Sequence, residues 1–165
     1  MMSVFSACVA AGTWPAMTQG ACHLDCSTVD VDSARAVAAD AAAAGLLSVD
    51  APVSGGITGA AAGTLTFMAG GPEDGFAIAA PLFDIMGQKA VHCGDAGAGQ
   101  AAKIFNHMIL GVTMIATCEA FALADKLGLD RPKMFDGVST SAGHGRTMNH
   151  HSPAPGSGTH SPPHA

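Results

Sequence analysis

The feature that most constrains this sequence is a long apolar stretch, residues 100–127, which contains no proline and only one glycine, Gly111. Apolar residues recur through the stretch at the three-to-four-residue spacing of a helix face. This spacing predicts a single helix of about seven turns. We expect the helix to end at Gly128, because glycine commonly follows the last helical residue. A second, shorter helix is predicted after Asp130, to about residue 138.

The segments before this helix alternate between strand and helix patterns. Short apolar runs with β-branched residues predict strands at 46–53, 64–71 and 89–94, and a strand end lies near residue 24. Alternating strands and helices predict an α/β fold with a largely parallel sheet, and the long helix then leaves that sheet.

The helices between these strands have recognisable ends. Asp30 or Asp32 can cap a helix that Gly45 stops. A second helix is predicted over 72–87, where Pro81 is expected to kink or split it. The glycine-rich segment 54–63 predicts a loop, and residues 1–22 show no periodicity that assigns them.

Composition excludes several classes of partner. The chain of 165 residues is 48% hydrophobic and 12% charged, with a net charge of −6. This balance argues against nucleic acid or anionic lipid as a partner. No unbroken apolar run reaches the roughly 20 residues of a membrane span, so we expect no membrane partner. Five cysteines without a C-x-x-C pair indicate a reduced, intracellular protein with inert buried thiols.

A glycine turn precedes the long helix and matches a dinucleotide fingerprint, G-x-G-x-x-G/A, as GAGQAA from Gly97. A functional fingerprint needs a second strand that ends in an acidic residue about 20 residues further on. Here the helical pattern continues to residue 127 instead. We therefore interpret the match as coincidental, with the glycines leaving room for a lysine and its ligand.

That lysine is Lys103, and Asn106 follows it by three residues, so the two share a helix face. A lysine among alanine, isoleucine and phenylalanine is partly desolvated, which lowers its pKa and allows proton exchange near neutral pH. The spacing alone favours a different interpretation, a surface lysine on an amphipathic helix.

Three motifs in this order resemble the β-hydroxyacid dehydrogenase family, over about residues 24–141. They are DCST at 25–28, DAPVSGG at 50–56 with the G-x-x-x-G-T-L-T-F-M-A-G-G that follows from Gly59, and GAGQAAKIFNHM at 97–108. The resemblance implies an NAD-dependent oxidoreductase, with NADP not excluded, that acts on a small 3-hydroxy acid and forms homo-oligomers. It implies a cytoplasmic location, or the mitochondrial matrix in a eukaryote.

The resemblance also assigns roles to particular residues. Lys103 resembles the catalytic lysine, and Asn106 resembles the asparagine that hydrogen-bonds the substrate. The roles implied for the remaining residues are substrate carboxylate binding by Ser54, Gly55 and Gly56, and contact with the cofactor's edge by Thr28. Three of these residues also have a purely structural interpretation: Ser54 as a strand end, Thr28 as the start of a turn and Asn106 as a solvated helix residue.

The family pattern extends beyond this chain in both directions. Only 24 residues precede Asp25, and they contain no G-x-G-x-x-G turn. We expect 1–95 to be the later part of a Rossmann-like domain, 96–141 the interdomain helix with the start of a helical domain, and 142–165 a disordered tail rich in proline and histidine. No metal site is predicted, because the tail histidines suit no standard ligand spacing.

Several functions stay open on this evidence. The first is a fragment of a 3-hydroxyacid dehydrogenase that is inactive alone. The substrate of the intact enzyme would be 3-hydroxyisobutyrate or, as the alternative, tartronate semialdehyde. The second is a non-catalytic chain that pairs with a full-length homologue through its long helix. A third is a broken reading frame, which the change of composition after Gly143 would fit.

A sheet and a helix without their usual neighbours should fold weakly. We therefore expect the purified chain to show little cooperative thermal unfolding, or to aggregate. Scanning calorimetry measures this directly. A sharp two-state transition in a monomer would contradict the expectation.

Overall fold

The structure is a computed structural model that describes residues 12–145 and 147–148. By its internal contacts the chain divides into two compact units, Met1–Phe105 and Asn106–Ala165. The predicted disordered tail lies outside the described residues from 149 onward, as do residues 1–11.

The first unit is built around a five-stranded sheet. Its strands are β1 Cys22–Asp25, β2 Leu47–Asp50, β3 Val53–Ser54, β4 Leu65–Gly70 and β5 Gly87–Gly94. β1 pairs with β2 and β4 pairs with β5 in parallel, whereas β4 pairs antiparallel with β3 and, at one residue pair, with β2. The predicted α/β class is confirmed, and the sheet is rich in parallel pairs without being wholly parallel.

In the part of the chain that the structure describes, five complete α-helices accompany the sheet, and a 3-10 turn at Trp14–Ala16 precedes them. They are α1 Val31–Ala43, α2 Gly56–Ala62, α3 Glu73–Met86, α4 Ala98–Lys126 and α5 Arg131–Ser139. Asp30 caps α1, because its side chain accepts a hydrogen bond from the Ser33 N–H. Of the two candidate caps that the sequence offers, the structure selects this one.

The core of the first unit lies between the sheet and α3. Val49, Phe67 and Phe83 are almost fully buried there, and the rings of the two phenylalanines lie 4.7 Å apart, centroid to centroid. Gly75 lets α3 approach β2 closely, since a Cβ at this position would lie 3.0 Å from Val49 Cγ2. A second, smaller cluster joins α1 to Trp14 and Leu46.

Two sequence predictions about the segment 46–63 are wrong. The predicted strand 46–53 ends at Asp50, and the chain turns through Pro52 before pairing again as β3. The predicted glycine-rich loop contains helix α2, which ends in a left-handed Gly63 (φ 64°). Glycine lowers helix propensity, but the alanines at 60–62 and this glycine cap favour the helix locally.

Pro81 does not split α3, which is continuous from Glu73 to Met86. Proline removes the N–H that would bond to the carbonyl of Ala77. The rest of the helix nevertheless keeps its helical backbone.

The second unit contains most of α4 and all of α5. Asp130 caps α5 by accepting a hydrogen bond from the Lys133 N–H, and Arg131 pairs with Asp125 across the turn between the helices. The hydroxyl oxygens of Thr113 and Thr147 lie 2.9 Å apart, within hydrogen-bonding distance.

Helix α4 is long and apolar enough, by length and composition, to cross a membrane, and 11% of its most apolar 18-residue segment is buried. The expectation that no segment is long enough to span a membrane is therefore wrong with respect to length and composition. That expectation was based on unbroken apolar runs, whereas polar residues such as His107 and Thr113 interrupt the apolar residues of α4. Core helices of water-soluble proteins can have the same length and composition, so these two properties do not determine the environment of α4.

The described cysteines are free, and two of them contradict the expectation of buried thiols. Cys26 and Cys118 are exposed, while Cys22 and Cys93 are partly buried. Desolvation, together with the negative charge of Asp25, raises the pKa of the Cys26 thiol, which keeps it in the less reactive protonated form.

Replacing Phe67 by alanine should destabilise the first unit by about 3–5 kcal/mol, because the side chain is 1% exposed and its loss leaves a cavity. Amide hydrogen exchange of Met68, whose N–H bonds to the Pro52 carbonyl, measures the effect. Phe105→Ala is the matched control, since Phe105 is 62% exposed. Equal acceleration in both variants would contradict this account of the core.

Candidate active site

The candidate site is organised by a buried carboxylate that sequence reasoning did not select. Asp50 ends β2 and is 6% exposed. Its Oδ1 accepts a hydrogen bond from the Gly97 N–H at 2.7 Å, and its Oδ2 accepts one from the Gln100 N–H at 2.9 Å. These donors belong to the first turn of α4, whose N–H groups have no partner within the helix. Asp50 therefore fixes the start of the helix that carries Lys103.

Burial and hydrogen bonding act on Asp50 in opposite directions. Desolvation raises the pKa of its carboxyl, while the hydrogen bonds from Gly97 and Gln100 lower it, and the net shift is upward. The negative charge of Asp25, its partner on the neighbouring strand, adds to the rise.

Glycines allow this close approach of helix and sheet. A Cβ at Gly99 would overlap the carbonyl oxygens of Met68 and Asp50, and a Cβ at Gly70 would lie 2.6 Å from the Gly99 nitrogen. The space beside Gly99 is thus filled by the sheet. The interpretation of this glycine as clearance for a ligand is wrong, since it provides clearance for the strand ends.

Lys103 lies one turn beyond these contacts and is 7% exposed. Its Nζ donates a hydrogen bond to the Val53 carbonyl oxygen at 2.5 Å. Burial lowers the pKa of the ammonium group, as the sequence predicts. Among the residues that the structure describes, no carboxylate forms an ion pair with Lys103.

The predicted substrate loop starts immediately after the carbonyl that Lys103 contacts. Ser54 ends β3, and Gly55 (φ 143°) and Gly56 (φ 62°) take backbone conformations that favour glycine. Gly56 begins α2 and has open space where a side chain would be. The structure therefore brings Lys103 into contact with the residue that directly precedes Ser54.

Thr28, the predicted cofactor contact, is exposed in the loop that follows β1. Asp25 Oδ1 accepts a hydrogen bond from the Ser27 N–H, which holds the start of this loop. Gln100 contacts the loop on both sides of Thr28. Sequence reasoning missed Gln100, although it stands inside the GAGQAAK motif.

Asn106 lies on α4, three residues beyond Lys103, and is half-buried. It is the first residue of the second unit, whereas the other predicted site residues belong to the first. The role that the resemblance gives it stays a prediction.

The described residues contain no group of three or more histidine, cysteine, aspartate or glutamate side chains that could hold a metal ion. Most histidines of the C-terminal segment lie outside the described residues.

Two family models match the chain. Residues 3–94 match the NAD-binding domain of 6-phosphogluconate dehydrogenase. Residues 97–162 match the NAD-binding domain described for NADP-dependent 3-hydroxyisobutyrate dehydrogenase. The chain belongs to the β-hydroxyacid dehydrogenase family. The second model includes helix α4, which is thereby assigned to this family of NAD(P)-dependent oxidoreductases.

Individual relatives agree with this assignment. The chain is 50% identical over 133 residues to a 3-hydroxyisobutyrate dehydrogenase of Pseudomonas aeruginosa, covering 81% of this chain and 45% of the relative. It is 45% identical over 137 residues to an NAD-dependent L-serine dehydrogenase of the same organism, covering 83% and 46%. This chain thus spans about half the length of these curated relatives.

A solved structure is similar as well. The Mycobacterium tuberculosis 3-hydroxyisobutyrate dehydrogenase with L-serine superposes with a TM-score of 0.83 at 44% identity, covering 89% of this chain and 50% of that one. The family resemblance, the α/β fold with its long helix, and a nicotinamide dinucleotide as the family's cofactor are confirmed.

Asp50→Asn should destabilise the start of α4 by about 1–3 kcal/mol, because an amide has one acceptor oxygen and would turn its NH2 toward the second backbone N–H. Asp50 has a raised folded pKa, so its contribution to stability falls as pH rises from about 3.9 through that pKa. The variant should lose this pH dependence. Urea unfolding followed between pH 3 and pH 8 would measure both effects.

Asp30→Asn is the matched control, because Asp30 is an exposed helix cap and asparagine caps about as well as aspartate. Equal destabilisation of the two variants would show that Asp50 is an ordinary cap.

Proposed function

We propose that this chain supplies the lysine and the carboxylate-binding loop of an NAD(P)-dependent 3-hydroxyacid dehydrogenase. The reaction is oxidation of the terminal alcohol of a small acid, in the first instance 3-hydroxyisobutyrate to methylmalonate semialdehyde. The observation that carries the proposal is the buried Lys103, whose Nζ reaches the Val53 carbonyl next to Ser54.

Lys103 is the proton acceptor in this proposal. Oxidising an alcohol removes a proton from oxygen and a hydride from carbon. Neutral Lys103 Nζ takes the proton, and burial favours the neutral form by lowering the lysine pKa. In the reverse direction the ammonium group returns the proton to the aldehyde oxygen.

The substrate carboxylate is assigned to Ser54, Gly55 and Gly56. The hydroxyl of Ser54 and the N–H groups of the two glycines can donate hydrogen bonds to an anion. The first N–H groups of α2 have no partner within the helix, and no described atom lies within 4 Å of the place that a Cβ on Gly56 would take. Asn106 is assigned a further hydrogen bond to the substrate.

The cofactor is assigned to the edge where β1 and β2 end, with Thr28 in contact with it. Parallel strands of α/β proteins place their ligands outside their carboxyl ends, and Thr28 is exposed directly after β1. When bound, the nicotinamide ring takes up the hydride. NAD is the first choice, and nothing in these residues discriminates against NADP.

Several substrates satisfy the same two contacts. 3-Hydroxyisobutyrate and L-serine both carry a carboxylate and a hydroxyl on the third carbon, and reduction of tartronate semialdehyde uses the same pair of groups. The named relatives include dehydrogenases for the first two. We place 3-hydroxyisobutyrate first and keep the tartronate semialdehyde reaction as the alternative.

A non-catalytic role is the second candidate. Apolar side chains of α4 remain exposed, including Met108, Ile109, Val112 and Ile115. A surface of this kind suits association with a full-length homologue. Co-purification with an intact dehydrogenase favours this role, and a chain that stays monomeric beside that homologue excludes it.

Binding can be tested without turnover by titrating 3-hydroxyisobutyrate into the isotope-labelled chain. We expect NMR shifts at the amides of Gly55 and Gly56, from the carboxylate, and at the Lys103 side chain, from the hydroxyl. Isobutyrate, which lacks the hydroxyl, should shift the glycine amides and leave Lys103 unchanged. A Lys103 signal that responds to both acids equally, or to neither, would overturn the assignment.

Where turnover with NAD is measurable, Lys103→Arg should lower it by about 10²–10⁴-fold, because the guanidinium keeps its proton. The rate of oxidation should rise with pH as Lys103 loses its proton, with an apparent pKa below the ordinary value of about 10.4. Lys89→Arg is the control, since Lys89 is exposed on β5. Retention of activity in Lys103→Arg would contradict the proton role.

A further inference from the structure

Gln100 is a polar side chain with no exposed surface, and both the nitrogen and the oxygen of its amide are hydrogen-bonded. Its relative exposure is 0%. Its Nε2 donates a hydrogen bond to the Ser27 carbonyl oxygen at 2.8 Å, and its Oε1 accepts one from the Val29 N–H at 3.2 Å. Both partners belong to the loop after β1, more than 70 positions earlier in the chain.

The orientation of this amide is fixed by its partners. The Ser27 carbonyl can only accept, and the Val29 N–H can only donate. An amide turned by 180° would set oxygen against oxygen and N–H against N–H. The Gln100 amide therefore binds this loop in one orientation only, with its NH2 toward the Ser27 carbonyl and its oxygen toward the Val29 N–H.

Ser27 and Val29 are the residues on either side of Thr28. The amide of Gln100 thus brackets the exposed threonine, binding the carbonyl before it and the N–H after it. Among the described residues, Thr28 forms no hydrogen bond of its own. Its position therefore depends on the residues beside it.

The backbone of Gln100 is held just as firmly as its side chain. Its N–H bonds to Asp50 Oδ2 in the first turn of α4, and Lys103 follows three residues later on the same helix face. One residue thus joins the loop of Thr28, the end of β2 and the helix of the lysine.

We propose that Gln100 is a positioning residue that holds the Thr28 loop against the helix of Lys103. It thereby fixes the position of the cofactor relative to the proton acceptor. The inference rests on the proposed function for the roles of Thr28 and Lys103. The tether itself rests on the hydrogen bonds of Gln100.

The coupling acts in both directions. A fully buried amide without partners is unfavourable, so Gln100 is satisfied only when the loop closes over it. The loop in turn has two backbone groups that are satisfied only when α4 starts at its present position. A ligand that orders the Thr28 loop should therefore also stabilise the first turns of α4.

Gln100→Met tests the tether, because methionine has a similar volume and neither hydrogen-bonding group. We expect the Val29 amide to exchange about tenfold faster with solvent, as one lost hydrogen bond allows. The Ser33 amide, capped by Asp30, and the Met68 amide, bonded to Pro52, should keep their rates. Unchanged exchange at Val29, or equal acceleration at all three amides, would overturn the proposal.

Gln100→Glu provides the rescue. When protonated, the new carboxyl has an acceptor oxygen for the Val29 N–H and a hydroxyl donor for the Ser27 carbonyl. When ionised, it lacks that donor. Protection of Val29 should therefore return at acid pH in Gln100→Glu, relative to neutral pH, and not in Gln100→Met. Protection that is lost at every pH in both variants would show that packing, and no specific amide contact, holds the loop.

A titration with NAD separates this inference from the function it rests on. We expect NAD to shift the Thr28 amide of the wild-type chain, with about tenfold weaker affinity in Gln100→Met. Shifts at Gly55 and Gly56 caused by 3-hydroxyisobutyrate should stay the same. Equal NAD affinity in the two chains would overturn the positioning role. If the wild-type chain gives no NAD response, the cofactor assignment fails, and exchange at Val29 alone decides whether Gln100 holds the loop.

Discussion

The arrangement of this site depends on one buried carboxylate at the start of a long helix. Asp50 places its two oxygens on the N–H groups of Gly97 and Gln100, where the partial positive charge of the helix dipole is concentrated. A single side chain at the end of β2 thereby satisfies donors that the helix cannot satisfy itself. Because Lys103 lies one turn further along the helix, the same contact also fixes the position of the lysine relative to the sheet.

Glycines make that contact possible, and their role explains an ambiguity in the sequence. The motif GAGQAA has the spacing of a dinucleotide fingerprint, yet the structure uses Gly99 to bring the helix backbone against the carbonyls of Met68 and Asp50. The spacing is a requirement of close packing between helix and strand, which dinucleotide sites share. Spacing alone therefore cannot distinguish the two uses, and the missing second strand was the informative signal.

The sequence predicts those elements whose signals are local. Periodicity defines α4 to within about two residues of each end, and Asp30 and Asp130 are recognisable caps because their partners lie three residues away. Partial desolvation of Lys103 is also predicted, although the sequence alone leaves a surface lysine open. The sequence does not predict helix α2, because glycines lie at both of its ends and within it. It does not predict the turn at Pro52, because this turn lies within an apolar run.

The contacts of Asp50 and Gln100 could not be predicted in this way, since they join segments that are distant in sequence. An aspartate that follows a strand has many roles open to it, and a glutamine in the first turn of a helix is ordinarily a solvated residue. What identifies them is burial together with hydrogen bonds to distant segments, which are properties of the folded chain. The family motifs contain both residues, but a motif does not say which of its members contacts a ligand and which supports it.

The two buried charges of the site have separate partners, and this separation bears on the chemistry. Asp50 is directed to helix N–H groups, and Lys103 to a neutral carbonyl oxygen. A carboxylate beside Lys103 would favour the ammonium form and raise the lysine pKa, which would oppose proton uptake from an alcohol near neutral pH. With Asp50 occupied by the helix, burial is the dominant influence on Lys103 and lowers its pKa. Among the described residues Lys103 thus has no carboxylate partner, which is the state that the proposed role of proton acceptor requires.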